Sequence, residues 1–126
     1  YVDARYDQLS ELVGGVRIDR SGNQPINVPD TTLFAAAFYT LPHEVTLGGI
    51  LRQAGGFYTD TANSIYVAGH ALLDASLSLP VGQHTTLTFR GRNLTNRFYG
   101  EYSGYPTTNI YIGAPRSFDI ALTARL

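Results

Sequence analysis

From Arg116 to Leu126 the chain alternates almost without a break. Phe118, Ile120, Leu122, Ala124 and Leu126 are apolar, while Ser117, Asp119, Thr123 and Arg125 are polar, with Ala121 neutral between them. A residue period of two belongs to the pleated strand, whose successive side chains leave on opposite faces. This segment therefore reads as a strand with one apolar and one polar face. A sheet built of such strands has to hide a whole apolar side from water.

Leu73 to Arg92 repeats the pattern twice, back to back. Leu73, Ala75, Leu77 and Leu79 share one face, and Asp74, Ser76 and Ser78 the other. Beyond Pro80, Leu87, Phe89 and Gly91 share a face against Thr88, Arg90 and Arg92. A turn at Gly82-Gln83-His84 sets Val81 opposite Thr85 and fixes the register. Leu79 then meets Leu87, Leu77 meets Phe89 and Ala75 meets Gly91. On the other face Ser78 meets Thr88, Ser76 meets Arg90 and Asp74 meets Arg92. Both faces come out chemically matched. Thr32 to Phe57 reads as a second hairpin about Pro42-His43-Glu44. It puts Leu41 opposite Val45, Tyr39 opposite Leu47 and Thr40 opposite Thr46, with the ring of Phe38 covering Gly48.

About six antiparallel strands are expected in all, near Tyr1–Tyr6, Thr32–Leu41, Val45–Phe57, His70–Leu79, Thr85–Leu94 and Ile110–Leu126. Two connections are short turns. The others, near Asp7 to Asp30, Tyr58 to Gly69 and Thr95 to Ile110, are long and rich in Gly, Asn, Asp, Ser, Thr, Pro and Tyr. Short and long alternate strictly, so an up-and-down sheet carries every short turn at one end and every long loop at the other. That is the plan of an outer-membrane barrel, with short periplasmic turns and longer extracellular loops. A soluble β-sandwich shares the period and the Tyr-rich composition but mixes connection lengths at both ends. A small closed barrel with an anchoring or adhesive role needs at least about eight strands, more than the six expected here.

Composition narrows the classes further. Only 15% of residues are charged, and the formal net charge of −1 gives no polybasic surface for nucleic acid. All the basic residues are arginine. The lack of cysteine fits an oxidising envelope compartment. No run approaches the ~18 consecutive apolar residues of a transmembrane helix. Tyr1-Val2-Asp3 reads as the middle of a strand, so the chain is expected to begin inside a larger protein.

Four segments carry a family resemblance: Gly22-Asn23-Gln24-Pro25-Ile26-Asn27-Val28-Pro29, Leu73-Asp74-Ala75-Ser76, Arg92-Asn93-Leu94-Thr95-Asn96-Arg97-Phe98-Tyr99, and Gly113-Ala114-Pro115-Arg116-Ser117-Phe118 with the closing strand. In this order and spacing they resemble the end of TonB-dependent outer-membrane receptors, most closely the siderophore group. The resemblance implies that residues 1–126 are the C-terminal part of a transmembrane barrel of about 22 strands with a plugged lumen. The plug domain would be absent from this chain. It implies uptake of a ferric siderophore across the outer membrane of a Gram-negative bacterium, energised by the TonB complex through a missing N-terminal region. Haem, cobalamin or sugar are the alternative ligands within the same class. Outer-membrane lipid and the barrel-assembly machinery, which would read the C-terminal strand, are the remaining partners implied. The family's last residue is usually aromatic, whereas this chain ends in Leu126.

The residues themselves suggest binding rather than catalysis. There is no cysteine nucleophile, and His43, His70 and His84 are too dispersed to share a metal. No cofactor is expected. A large polar chelate needs aromatic faces and hydrogen-bond donors near the outer mouth. The long loops offer Tyr58, Asn63, Tyr99, Tyr102, Tyr105 and Tyr111. Such tyrosines also suit an interfacial girdle, and the sequence leaves both uses open. Asp74, Arg90, Arg92, Asp119 and Arg125 fall on the expected lumen face. Pairing with one another or with a plug is the favoured use there, ahead of attracting an anionic chelate. Asn93 and Asn96 bracket a strand end, where an amide can bond exposed backbone and shape a turn.

Overall fold

The computed structural model describes residues 1–125. Among these the regular structure is strand, apart from a single 3-10 turn at Pro42–Glu44. In chain order the strands are β1 (Ser10–Val13), β2 (Val16–Asp19), β3 (Thr32–Thr40), β4 (Thr46–Ala54), β5 (Phe57–Tyr58), β6 (Tyr66–Val67), β7 (His70–Gly82), β8 (Thr85–Arg92), β9 (Gly100–Ser103), β10 (Ile110–Ile112) and β11 (Ser117–Ala124). They form one five-stranded antiparallel sheet, in the order β11-β8-β7-β4-β3, and three two-stranded ribbons, β1-β2, β5-β6 and β9-β10. The chain divides into two compact units. One comprises Tyr1–Thr32, Ala54–His70 and Tyr99–Gly113; the other comprises Leu33–Gln53, Ala71–Phe98 and Ala114–Leu126.

The second unit holds the body of the sheet, and the expected pairings are there. Leu79 faces Leu87, Leu77 faces Phe89 and Ala75 faces Gly91. On the other side of β8, Leu122 faces Leu87, Ile120 faces Phe89 and Phe118 faces Gly91. Directly opposed residues share a face, so these pairs make apolar rows three strands wide. The intervening residues make polar rows, among them Ser76, Arg90 and Asp119. The apolar rows have no cover: Phe118 is 71% exposed, and Ile120 and Leu122 are each 67% exposed. In the β3-β4 hairpin the Leu41 amide donates to the Val45 carbonyl, and the hydroxyls of Thr40 and Thr46 lie 3.2 Å apart. The Phe38 ring lies so close over Gly48 that a Cβ there would stand 2.7 Å from it.

The β7-β8 turn differs by one residue from expectation. Gly82, not Val81, sits opposite Thr85, and Pro80 sits opposite Thr86. Val81 is bulged out, and the turn is Gln83-His84. An odd residue placed in a bulge keeps the period of two intact on either side. Pro80, which has no amide to give to a ladder, stands next to it.

The first expected strand, Tyr1–Tyr6, does not form. Its backbone is occupied by a loop instead: the Val2 amide donates to Asp30, the Tyr6 amide to Asn23, and the Tyr6 carbonyl accepts from Gly22. A hairpin lies further on, where Val13 pairs with Val16 across Gly14-Gly15. Both glycines are left-handed, at φ 57° and 84°, the signature of a tight hairpin turn. The expected closing strand is also divided. β10 pairs with β9 and β11 with β8. The joint is Gly113-Ala114-Pro115-Arg116, where Pro115 cannot donate and the Gly113 amide is taken by the Tyr99 carbonyl. The expected strand end at Leu126 lies outside the described residues.

Candidate functional site

Within the first unit, the loop residues are held by side-chain amides acting on backbone. Asn63, at φ 55°, donates to the Gln24 carbonyl at 2.9 Å and accepts from the Gln24 amide at 2.8 Å. That reciprocal pair imitates a strand pairing between segments far apart in sequence. Asn27, at φ 59°, does the same to Ser103: its Oδ1 accepts from the Ser103 amide at 2.7 Å and hydroxyl at 2.9 Å, and its Nδ2 donates to the Ser103 carbonyl at 3.0 Å. Ser103 is buried. Asn tolerates the left-handed region while carrying both a donor and an acceptor, which suits it to such staples.

Acidic groups brace the same unit. The Asp60 carboxylate accepts from the amides of Ser64 and Ile65, each at 2.9 Å, and from the Ser64 hydroxyl at 2.7 Å. Burial pushes the Asp60 carboxyl up, but these donors outweigh it and hold the group below its ordinary value. Glu11 is bonded by the Thr61 hydroxyl and by Arg20 at 3.2 Å. The Thr61 hydrogen bond is the largest influence lowering its carboxyl.

The loop tyrosines divide by environment. Tyr58 packs edge-on against Tyr66 at 5.3 Å. Tyr99 lies over His70 at 4.1 Å, and also over Gly113, where an added Cβ would collide with the ring. Tyr58 and Tyr99, like Asn63, make their contacts within the loops. Tyr102 and Tyr111 are cross-strand partners in the β9-β10 ribbon; their rings stack at 4.6 Å and 15°, with about half of each residue exposed. Tyr105 is 95% exposed. Of the expected loop tyrosines, Tyr102, Tyr105 and Tyr111 are thus the exposed ones.

In the second unit the expected polar-face residues all lie on one face, with different partners. Asp74 pairs with Arg52 at 2.6 Å and accepts from the Asn93 amide at 2.8 Å. Asp119 pairs with Arg90 at 2.7 Å and with Arg92 at 3.4 Å. The expected Asp74–Arg92 partnership is thus not made, although both line one depression. The ladder ends at Ala75–Gly91 because Asn93 turns left-handed at φ 48° and offers its amide to Asp74. Arg125 borders a second depression near Glu44 and His84. Among the described residues no cluster of three His, Cys, Asp or Glu side chains could hold a metal ion.

Asn93 and Asn96 are the joints expected of them. Asn93 is buried; its Nδ2 donates to the carbonyls of Arg97 at 2.9 Å and Ala114 at 3.0 Å, and its Oδ1 accepts from the Arg97 amide at 2.8 Å. Asn96 accepts from the Arg116 amide at 3.2 Å. The staples at Asn27, Ser103 and Gln24 were missed by sequence reasoning. Their signal was present in the Gly22–Pro29 segment, but the partners lie up to 76 residues away.

No family model and no curated protein matches the chain. Solved structures do. The siderophore receptor PiuA from Acinetobacter baumannii matches 90% of this chain at 24% identity and a TM-score of 0.77. BauA, the ferric preacinetobactin receptor of the same organism, matches 82% at 28% identity and a TM-score of 0.67. FyuA, the ferric yersiniabactin uptake receptor from Yersinia pestis, matches 82% at 18% identity and a TM-score of 0.71. The chain spans 16% of the length of the first two and 17% of the third.

Proposed function

We propose that this chain, which has the fold of part of the barrel of TonB-dependent siderophore receptors, serves a receptor that carries a ferric siderophore across the outer membrane of a Gram-negative bacterium. In this reading the chain is the C-terminal part of the barrel domain, and the plug and the segment that contacts TonB belong to a region outside residues 1–126. The single observation that carries the reading is the two-faced sheet. One face bears uncovered rows of Phe, Ile and Leu, and the other bears arginines and aspartates in ion pairs. A soluble domain would bury the first face. A barrel wall turns it to lipid and keeps the second inside. The likeness to a siderophore receptor, a ferric preacinetobactin receptor and a ferric yersiniabactin uptake receptor supports the same assignment. The loops with Tyr102, Tyr105 and Tyr111 then lie at the outer mouth, and the turns at His43 and His84 face the periplasm.

The test is uptake of iron-55 chelates by iron-starved cells whose only receptor is the complete protein, with and without a working TonB complex. Accumulation of one chelate class that requires both the receptor and TonB is the expected result. A receptor that assembles in the outer membrane and passes only haem, cobalamin or sugar would overturn the siderophore assignment.

A further inference from the structure

The apolar face of β7, β8 and β11 is not uniform. Ala75 and Gly91, which pair directly, interrupt its rows of Leu, Ile and Phe. Phe118, opposite Gly91 on β11, and Leu94, just past the end of β8, both close over that glycine: a Cβ there would stand 2.6 Å from Leu94 and 3.0 Å from Phe118. Between these groups and Leu77, Phe89 and Ile120 runs a groove of about 350 Å³, walled by apolar side chains. It has the size of a small-ligand site.

Two arginines stand beyond one end of this groove. Asn93 donates to the carbonyls of Arg97 and Ala114, and Asn96 accepts from the Arg116 amide, so the segments that carry Arg97 and Arg116 are tied together next to Leu94 and Phe118. The ties use only the main chain of the two arginines. Both residues are exposed, and among the described residues neither has an acidic partner. The acids of the same strands, Asp74 and Asp119, are taken by Arg52, Arg90 and Arg92 on the opposite face. This end of the sheet is the one away from the Gln83-His84 turn, because β8 runs outward from that turn and β11 begins opposite Arg92. The chemistry is a pair of unneutralised guanidinium groups at the head of a hydrocarbon groove.

From this arrangement we infer that the wall seats one anionic lipid of the outer leaflet, with its phosphate on Arg97 and Arg116 and an acyl chain along the groove over Gly91. The inference rests on the barrel-wall reading, which turns this face to lipid and sets the end away from the short turns at the outer surface. Guanidinium groups take phosphate oxygens in bidentate fashion, and basic residues at the edge of a hydrocarbon layer hold anionic headgroups. An uncharged lipid would fill the groove but leave both cations without a partner. A free phosphate would satisfy the cations but leave the groove bare.

The complete receptor, purified in mild detergent and stripped of lipid, tests this by native mass spectrometry with diphosphorylated lipid A as the probe. One copy should be retained, and Arg97→Gln combined with Arg116→Gln should weaken its binding about 30-fold. That double variant keeps the Asn93 and Asn96 ties, and Arg17→Gln, in the exposed β1-β2 ribbon, should change nothing. Dephosphorylated lipid A should bind the parent about as weakly as the diphosphorylated form binds the double variant. At equal concentration, neither inorganic phosphate nor the deacylated, diphosphorylated headgroup should displace the lipid. Equal binding to parent and double variant, or equal binding of the two lipids, would refute the phosphate contact. Displacement by the headgroup or by inorganic phosphate would refute the acyl seat. A second polypeptide held through the two arginines in place of lipid would refute the proposal in favour of a protein partner. Heat-modified gel mobility, measured on the same samples, shows whether a barrel has formed, so failure of the wall reading is seen separately.

Discussion

Asn93 offers a sharp quantitative test of how this chain is held. It is buried, sits at φ 48°, and its side chain makes three hydrogen bonds to main-chain groups of Arg97 and Ala114. Asn93→Ala removes all three at about 1 kcal/mol each. It also puts a Cβ-bearing residue without local hydrogen bonding into the left-handed region, at a further cost of about 1 kcal/mol. The expected loss is about 4 kcal/mol. Asn93→Asp distinguishes hydrogen bonding from shape. It keeps the acceptor for the Arg97 amide but turns a carboxylate oxygen on the two carbonyls that Nδ2 served. At neutral pH it should cost at least as much as the alanine. Part of the loss should return in acid, when the protonated carboxyl regains one donor. The assay is the folded fraction of the complete receptor across a urea series, read by gel mobility without heating. An alanine variant within about 1 kcal/mol of the parent, or an Asp variant as stable as the parent at pH 7, would refute the hydrogen-bond accounting.

Three further outcomes follow from the faces and loops. Ile120→Arg, in the middle apolar row, should cost about 2–4 kcal/mol of assembled receptor if that row crosses the bilayer centre, and Ala121→Arg on the opposite face should cost less than about 1 kcal/mol; equal effects in a membrane-insertion assay would reverse the faces. Asp60 has a carboxyl held below its ordinary value, so its contribution is complete above the unfolded value of 3.8 and is lost as pH falls through the lower folded value. Asp60→Asn should therefore loosen the Asp60–Ile65 turn at pH 7 and make little difference in strong acid, as followed by amide exchange. Tyr102→Ala with Tyr111→Ala removes a stacked pair worth about 0.5–1.5 kcal/mol and should weaken chelate binding while leaving assembly intact, whereas Tyr99→Ala should loosen the loop around Gly113; unchanged binding in the double variant would assign that pair to the girdle.

What the sequence revealed depended on the range of the interaction. Leu77, Phe89 and Ile120 advertise their face because the period of two is local, and a two-residue turn carries it faithfully into the next strand. The single misplaced turn residue, Val81, was a choice between a longer turn and a bulge, which leave the same pairs beyond them. Gly14-Gly15, flanked by Val13 and Val16, is a hairpin signal inside a stretch that as a whole reads as a long polar connection, and Tyr1–Tyr6 has strand-like composition but spends its amides on residues 22–30. Asp74 and Arg92 share one depression as expected but do not pair, because an arginine reaches beyond its direct neighbour. Arg52 claims Asp74 from another strand, and Arg92 turns to Asp119. Among the loop candidates, Tyr102 and Tyr99 are indistinguishable in sequence; only the ring over Gly113 and His70 separates the braced tyrosine from the presented one.

The order of strands in the sheet also sets a folding sequence. β7 and β8 are closed by two intervening residues, Gln83 and His84, whereas β8 and β11 are separated by residues 93–116, 24 in all. Closing the longer loop costs about 2 kcal/mol more in chain entropy. The β9-β10 ribbon lessens that difference. Once Gly100 has met Ile112, only residues 93–99 and 113–116 remain open, which recovers about 0.7 kcal/mol. The hairpins therefore close early and β11 joins last, so its backbone stays free longest during assembly.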